Sequence, residues 1–297
     1  MTMRPLTGCG TALVTPFFAS GEVDESRLRA LVDWQIAEGV HFLVPCGSTG
    51  EAATMSLEEH KRVVAVTVEQ AAGRVPVVAG AGANDTRKAI ALSREMRALG
   101  VTHLLHVSPM YNKPQQRGIV AHFRAIAESV DLPIVVYNVP GRTASNIEAK
   151  TTLELAQIPN VVAIKEASGN LQQIGDILRE RPSDFTVLSG DDAVTLPVMA
   201  LGGEGVISVV SNALPRAMSS LVDSCAAGDF AAARSIHRRL TPFMSAAFVE
   251  SNPAPIKAAL AMMGRVENEL RLPLVPLAES LHPTVRAALV AAGALPA

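Results

Sequence analysis

Val161-Val162-Ala163-Ile164-Lys165-Glu166-Ala167-Ser168-Gly169 is the stretch on which the fold turns. Four β-prone or small residues run without polar interruption and end on an amine, the pattern of a strand covered on both faces and so of a parallel sheet beneath helices. A lysine at that end holds its head in a partly apolar cavity, where burial disfavours the ammonium and leaves a nucleophilic neutral amine accessible near neutral pH. Taken by itself, the stretch favours a lysine that snorkels past the strand end into water, and only partners elsewhere in the chain reverse that reading.

Working outward, comparable apolar runs fall at residues 11–14, 41–45, 75–79, 103–107, 133–137, 161–165, 186–188 and 205–209. Helix-period patterns separate them at 25–38, 57–72, 86–99, 118–130, 147–156, 171–179 and 193–201, with Ser56 and Asn84 or Asp85 as N-caps. Eight strands, each followed by a helix, predict an α/β protein built as a closed (β/α)8 TIM barrel rather than a doubly wound sheet. Beyond the eighth run the patterns at 214–226, 229–249, 255–263 and 283–292 are all helical. One completes the eighth unit; the rest form a C-terminal extension after the turn at Ala227-Gly228. The chain therefore divides into a barrel carrying the active site, 1–227, and a helical extension, 228–297. No Pro/Ser-rich linker joins them, so they are expected to behave as one folding unit.

Composition narrows the function. The 297 residues are 48% hydrophobic and 18% charged, enough apolar material for a large core. A formal net charge of -2, with no block of Lys and Arg, argues against nucleic acid or an anionic membrane as partner. The start shows no basic segment followed by an apolar one, and no apolar run is long enough to cross a bilayer, which points to a cytoplasmic protein. Cys9, Cys46 and Cys225 are odd in number and far apart, which suits small apolar fillers rather than disulfides or metal ligands. His103 and His106 lie on opposite faces of one strand, and no metal-binding motif accompanies them.

A barrel places its chemistry at the C-terminal ends of its strands. The second run leads into Gly47-Ser48-Thr49-Gly50-Glu51, whose backbone N–H groups and hydroxyls suit a carboxylate, although a plain turn reads the same way. The fourth leads into Ser108-Pro109-Met110-Tyr111-Asn112-Lys113-Pro114 and the fifth into Tyr137-Asn138-Val139-Pro140-Gly141-Arg142-Thr143, so both of the chain's tyrosines fall where a barrel puts function. Arg142 suits a bidentate pair with a substrate carboxylate, yet arginines make up most of the 26 basic residues and a surface role competes. Ser189-Gly190-Asp191-Asp192 and the glycines of 202–205 bring backbone close to a small ligand, while both aspartates also suit helix caps. Lys165, Tyr137, Tyr111 and the Ser48-Thr49 pair together point to Schiff-base chemistry on a keto acid with no cofactor and no metal.

Those residues, with Gly10-Thr11-Ala12-Leu13-Val14-Thr15-Pro16-Phe17 and 205–208, resemble the pyruvate-dependent class I aldolases and lyases of the dihydrodipicolinate synthase and N-acetylneuraminate lyase superfamily over nearly the whole chain. The stretch 137–143 is most similar to the synthase branch. That resemblance implies condensation of pyruvate with aspartate-4-semialdehyde to 4-hydroxy-tetrahydrodipicolinate, in lysine and diaminopimelate biosynthesis. It implies Lys165 as the imine-forming residue and Tyr137, Tyr111 and Ser48 or Thr49 as a proton relay. It further implies Thr49, Gly190 and Ile207 around pyruvate, Arg142 on the second substrate's carboxylate, and a homotetramer of tight dimers in which Tyr111 reaches the neighbouring subunit's site.

Several positions depart from the pattern. Ser48 stands where the synthases usually carry Thr, as in the neuraminate lyases, which leaves a pyruvate-releasing aldolase, lyase or dehydratase acting on a 2-keto-3-deoxy sugar acid or N-acetylneuraminate as the alternative. Met110 replaces a common tyrosine. Ala52, Leu57 and Lys88 replace Ser, His and Glu of lysine-inhibited members while His60 and Asn84 match, so inhibition by lysine is expected to be weak or absent.

Overall fold

The structure is a computed structural model and describes residues 5–296. Eight strands, β1 (Gly8–Ala12), β2 (Phe42–Val44), β3 (Val78–Gly80), β4 (His103–Val107), β5 (Ile134–Asn138), β6 (Val161–Glu166), β7 (Thr186–Ser189) and β8 (Gly205–Ser208), run parallel in the order β2-β1-β8-β7-β6-β5-β4-β3. A parallel bridge between Leu43 and Val77 joins the two ends, with Gly80 N donating to Pro45 O at 3.0 Å. The ring is therefore a (β/α)8 barrel, as expected. Around it lie α1 (Glu25–Ala37), α2 (Leu57–Ala71), α3 (Thr86–Ala98), α4 (Gln116–Ala127), α5 (Pro140–Thr143), α6 (Ala149–Leu155), α7 (Leu171–Glu180), α8 (Thr195–Ala200) and α9 (Pro215–Ala226); α10 (Phe230–Ala246), α11 (Ala254–Met262) and α12 (His282–Ala291) follow.

Alternation within the strands is hidden by their uniform hydrophobicity but visible in the packing. Val135, Tyr137, Ala163, Leu188 and Ile207 share the barrel interior, whereas Ile134, Val136, Ile164 and Val187 face outward into the layer under the helices. Period two thus sends Lys165 inward with Ala163 and turns Glu166 outward.

The caps follow local chemistry. Ser56 and Glu59 form a capping box on α2, and Asp85 rather than Asn84 caps α3. The boundaries differ most where glycine or proline carries the register. The first strand, expected at 11–14, begins at Gly8, because a β-carbon on Gly10 would lie 2.0 Å from the Phe42 ring and one on Gly205 would meet Gly8 O at the same distance. The third, expected from Val75, is confined to Val78–Gly80. The helix expected over 229–249 stops at Ala246, which turns Phe248 and Asn252 toward the mouth of the barrel. The three cysteines are buried and unpaired, and His103 and His106 sit on opposite faces of β4 as their spacing dictates. No described helix is long and apolar enough to cross a membrane.

Candidate active site

A cavity of about 400 Å³ opens among the loops at the C-terminal ends of the strands. Ser48, Thr49, Tyr137, Arg142, Lys165 and Gly190 all line it, although the chain separates the first from the last by more than a hundred residues.

Lys165 and Tyr137 are paired residues on adjacent strands, and Lys165 Nζ lies 4.2 Å from the centroid of the Tyr137 ring. Lys165 is 5% exposed, so it does not snorkel into water. Burial pushes its ammonium down to about 7; Asp192 opposes that shift and Arg142 adds to it. Burial likewise pushes the Tyr137 phenol up to about 12, with Arg142 countering, which keeps it a neutral donor. Space around the amine is secured by Gly190: a β-carbon there would lie 3.1 Å from Lys165 Cε and 2.6 Å from Ala167 Cβ.

The residues that alternate with this pair anchor it from behind. Asn138 Nδ2 and Gln173 Nε2 each donate to Glu166 Oε2 at 2.9 Å, Ser168 N donates to Oε1 at 2.6 Å, and Asn138 Nδ2 also reaches Asn146. A buried carboxylate accepting three donors is satisfied and stiff, so the ends of β5 and β6 are fixed where Tyr137 and Lys165 emerge.

Asp191 caps the turn after β7 through Ala193 N, as the sequence suggested, but Asp192 does not act as a helix cap. It is buried and accepts from Ser208 Oγ at 2.5 Å, Val209 N at 3.0 Å and Val210 N at 3.1 Å, tying β7 to β8 on the side from which its charge reaches Lys165.

The Ser48-Thr49 turn is held by parts of the chain that sequence reading did not connect with it. Thr15 Oγ1 donates to Gly50 O at 2.7 Å and Asn252 Nδ2 to Thr49 Oγ1 at 2.9 Å. Glu51, in a left-handed conformation at φ 57°, sends its carboxylate into the protein, where Lys257 Nζ of α11 lies 2.5 Å from Oε1 and Arg271 N donates to Oε2 at 3.0 Å. Neither side chain of that ion pair is exposed. Burial holds Lys257 down at about 8 despite Glu51. Lys257 also donates to Glu269 O at 2.7 Å, and Arg271 donates to Gly21 O, Thr54 O and the Glu59 carboxylate. The helices after the barrel thus grip the turn that carries Thr49.

Other expected residues sit differently. Arg142 rises from the short helix α5, started by Pro140 at its first turn, and its Nη2 donates to Asn252 O at 3.3 Å. Tyr111 is 89% exposed at φ 71° and does not line its own chain's cavity, whereas Met110 does. Ile207 is buried in the barrel interior and Val209 reaches the cavity. Asn252 was missed, since a lone asparagine before a proline carries no motif.

Fold and cavity define a (β/α)8-barrel enzyme with a buried amine on the sixth strand, the architecture of a class I aldolase. Comparison with known proteins narrows the class. The chain belongs to the dihydrodipicolinate synthetase family, whose model matches residues 5–292. It is 56% identical over 273 residues to the 4-hydroxy-tetrahydrodipicolinate synthase of Koribacter versatilis (strain Ellin345), covering 92% of this chain and 91% of that one. The crystal structure of dihydrodipicolinate synthase from Thermotoga maritima superposes with a TM-score of 0.97 at 44% identity, covering 98% of this chain and all of that one. The chloride-inhibited enzyme from Acinetobacter baumannii, solved with pyruvate, matches at a TM-score of 0.96 and 42% identity over 97% of this chain and 99% of that one.

Proposed function

We propose that this enzyme condenses pyruvate with aspartate-4-semialdehyde to give 4-hydroxy-tetrahydrodipicolinate, through an imine on Lys165. The observation that carries the reading is the buried Lys165 amine, held near neutrality beside the Tyr137 ring in a cavity that also presents Thr49 and Arg142.

The neutral amine of Lys165 attacks the pyruvate ketone and the carbinolamine loses water to form the imine. Loss of a methyl proton gives the enamine, which attacks the aldehyde carbon. The semialdehyde's own amino group then attacks the imine carbon, closes the ring and displaces the lysine, so one water leaves overall. Tyr137 and the Ser48 or Thr49 hydroxyl move the protons. Thr49 with the backbone at Gly190 and Ile207 holds the pyruvate carboxylate and its neighbourhood, and Arg142 takes the second carboxylate. Tyr111, which projects from its own chain, completes the relay in a neighbouring subunit of a cytoplasmic homotetramer of tight dimers. The units 1–227 and 228–297 then act together, the extension bracing the Thr49 turn.

Incubation with pyruvate and borohydride, followed by mass analysis of the peptide bearing Lys165, tests the imine. Turnover with aspartate-4-semialdehyde then tests the second substrate; turnover of sugar acids alone would overturn it.

A further inference from the structure

Asn252 is 5% exposed, lines the cavity and is bonded on two sides, yet among the described residues its Oδ1 has no hydrogen-bond partner. Its Nδ2 donates to Thr49 Oγ1 at 2.9 Å and its backbone carbonyl accepts from Arg142 Nη2 at 3.3 Å. Buried amide oxygens are rarely left bare, because the lost hydration is costly unless a partner replaces it. A buried acceptor without a partner, on a residue that lines the ligand cavity and touches the Arg142 guanidinium, calls for a donor on the ligand.

Resting on the function proposed above, we infer that Asn252 is a specificity-determining residue whose Oδ1 receives the α-amino group of the second substrate while Arg142 holds its carboxylate. In an α-amino acid the nitrogen and the carboxyl carbon share one carbon, so the groups that read them must be neighbours, as Asn252 and Arg142 are. A neutral acceptor also suits the chemistry. The amine must shed its proton to close the ring, and an amide oxygen accepts from the ammonium without stabilising it as strongly as a carboxylate would. The cavity's own carboxylate, Asp191, instead has Oδ1 committed to the cap at Ala193 N. Donation from Nδ2 fills a lone pair of Thr49 Oγ1 and frees that hydroxyl's proton for the pyruvate carboxylate. One side chain thereby orders both substrate positions.

The test compares aspartate-4-semialdehyde with succinate semialdehyde, which has the same carbon chain without the amino group, in an enzyme first shown by borohydride trapping to form the pyruvate imine. Absence of trapping in the unaltered enzyme removes the functional reading itself. With trapping present, Asn252→Ala is expected to raise KM for the amino aldehyde at least about ten-fold, as loss of a hydrogen bond to a charged group does, and to leave the inhibition constant of succinate semialdehyde within about two-fold. Asn252→Asp, which adds a charge beside the same site, is expected to move the ratio the other way, weakening the deaminated aldehyde more than the amino one. Equal effects on both aldehydes in either variant overturn the inference and leave Asn252 as a support for Thr49 and Arg142. If the alanine variant does not fold, the aspartate ratio decides by itself.

Discussion

Tyr137 and Lys165 face each other across the β5–β6 ladder with the amine 4.2 Å from the ring centroid, while their successors Asn138 and Glu166 face each other on the outside of the barrel, bonded at 2.9 Å. One register therefore fixes a reactive pair and its anchor together. Slipping it by one residue would put the carboxylate in the cavity and the amine under the helices.

The first prediction concerns Lys165 itself. Lys165→Met should abolish borohydride trapping of pyruvate and also raise thermal stability near pH 7, by about 0.5–2 kcal/mol, because it replaces a buried amine by an apolar chain of similar length. Thermal unfolding of both proteins checks this. A variant less stable than the parent would show that the amine is better satisfied than its surroundings indicate.

The pH dependence has a definite sign. Lys165 in the folded protein titrates at about 7, below its ordinary value of 10.5, so the nucleophilic amine accumulates as pH rises through 7. The initial trapping rate at low pyruvate should climb roughly thirty-fold from pH 5.5 to 8, following the neutral fraction, and then level. Between pH 7 and 10.5 the unfolded state binds the extra proton, so this lysine's contribution to stability improves with rising pH. The stability advantage of Lys165→Met should shrink over that window. A trapping rate flat from pH 5.5 to 8 would contradict the depressed value.

Arg142→Ala separates the two substrates. Its Nη2 reaches Asn252, and its charge bears on both Lys165 and Tyr137. The variant should still trap pyruvate but lose condensation by about ten- to a hundred-fold in kcat/KM for the aldehyde, the cost of one charge-assisted contact. Parallel loss of trapping and condensation would mean that Arg142 serves pyruvate instead.

Lysine as an effector offers a fourth check. Ala52 and His60 line the cavity, Leu57 is exposed, and Lys88 is a cation where lysine-inhibited members carry an acid. Inhibition by lysine is expected only above roughly millimolar concentration, since like charge disfavours its approach. Sub-millimolar inhibition in a coupled assay would refute this.

The sequence exposed the barrel because each strand's core run is local and each helix carries its own period; even the cap at Ser56 was legible. It exposed Lys165, Tyr137, Thr49 and Arg142 because a barrel sends strand-end residues to one mouth. What it hid is non-local. Glycines 8, 10 and 205 blurred the first strand because their reason is the closeness of Phe42 and of each other across the ring. Asp192 resembled a cap because its true partners lie 16 to 18 residues on, at Ser208, Val209 and Val210. Glu51 and Lys257 carried no local sign of their pairing, which forms across two hundred residues.

That pair supports the last prediction. Lys257→Met strands the Glu51 carboxylate in the protein interior, with the Arg271 backbone N–H still donating to it. The single variant should lose about 3–5 kcal/mol, as removal of one partner from a buried ion pair does. Glu51→Gln with Lys257→Met removes both charges and should recover much of that loss, so urea unfolding of the four proteins in a double-mutant cycle gives a large coupling energy. The function of the grip is read separately. With the double variant folded, KM for pyruvate should rise while the Lys165 imine still forms at saturating pyruvate, because the altered element is the turn that carries Thr49 and not the amine. Additive losses in the cycle would show that the two charges do not depend on each other, and an unchanged KM in the double variant would show that α11 stabilises the barrel without positioning the turn.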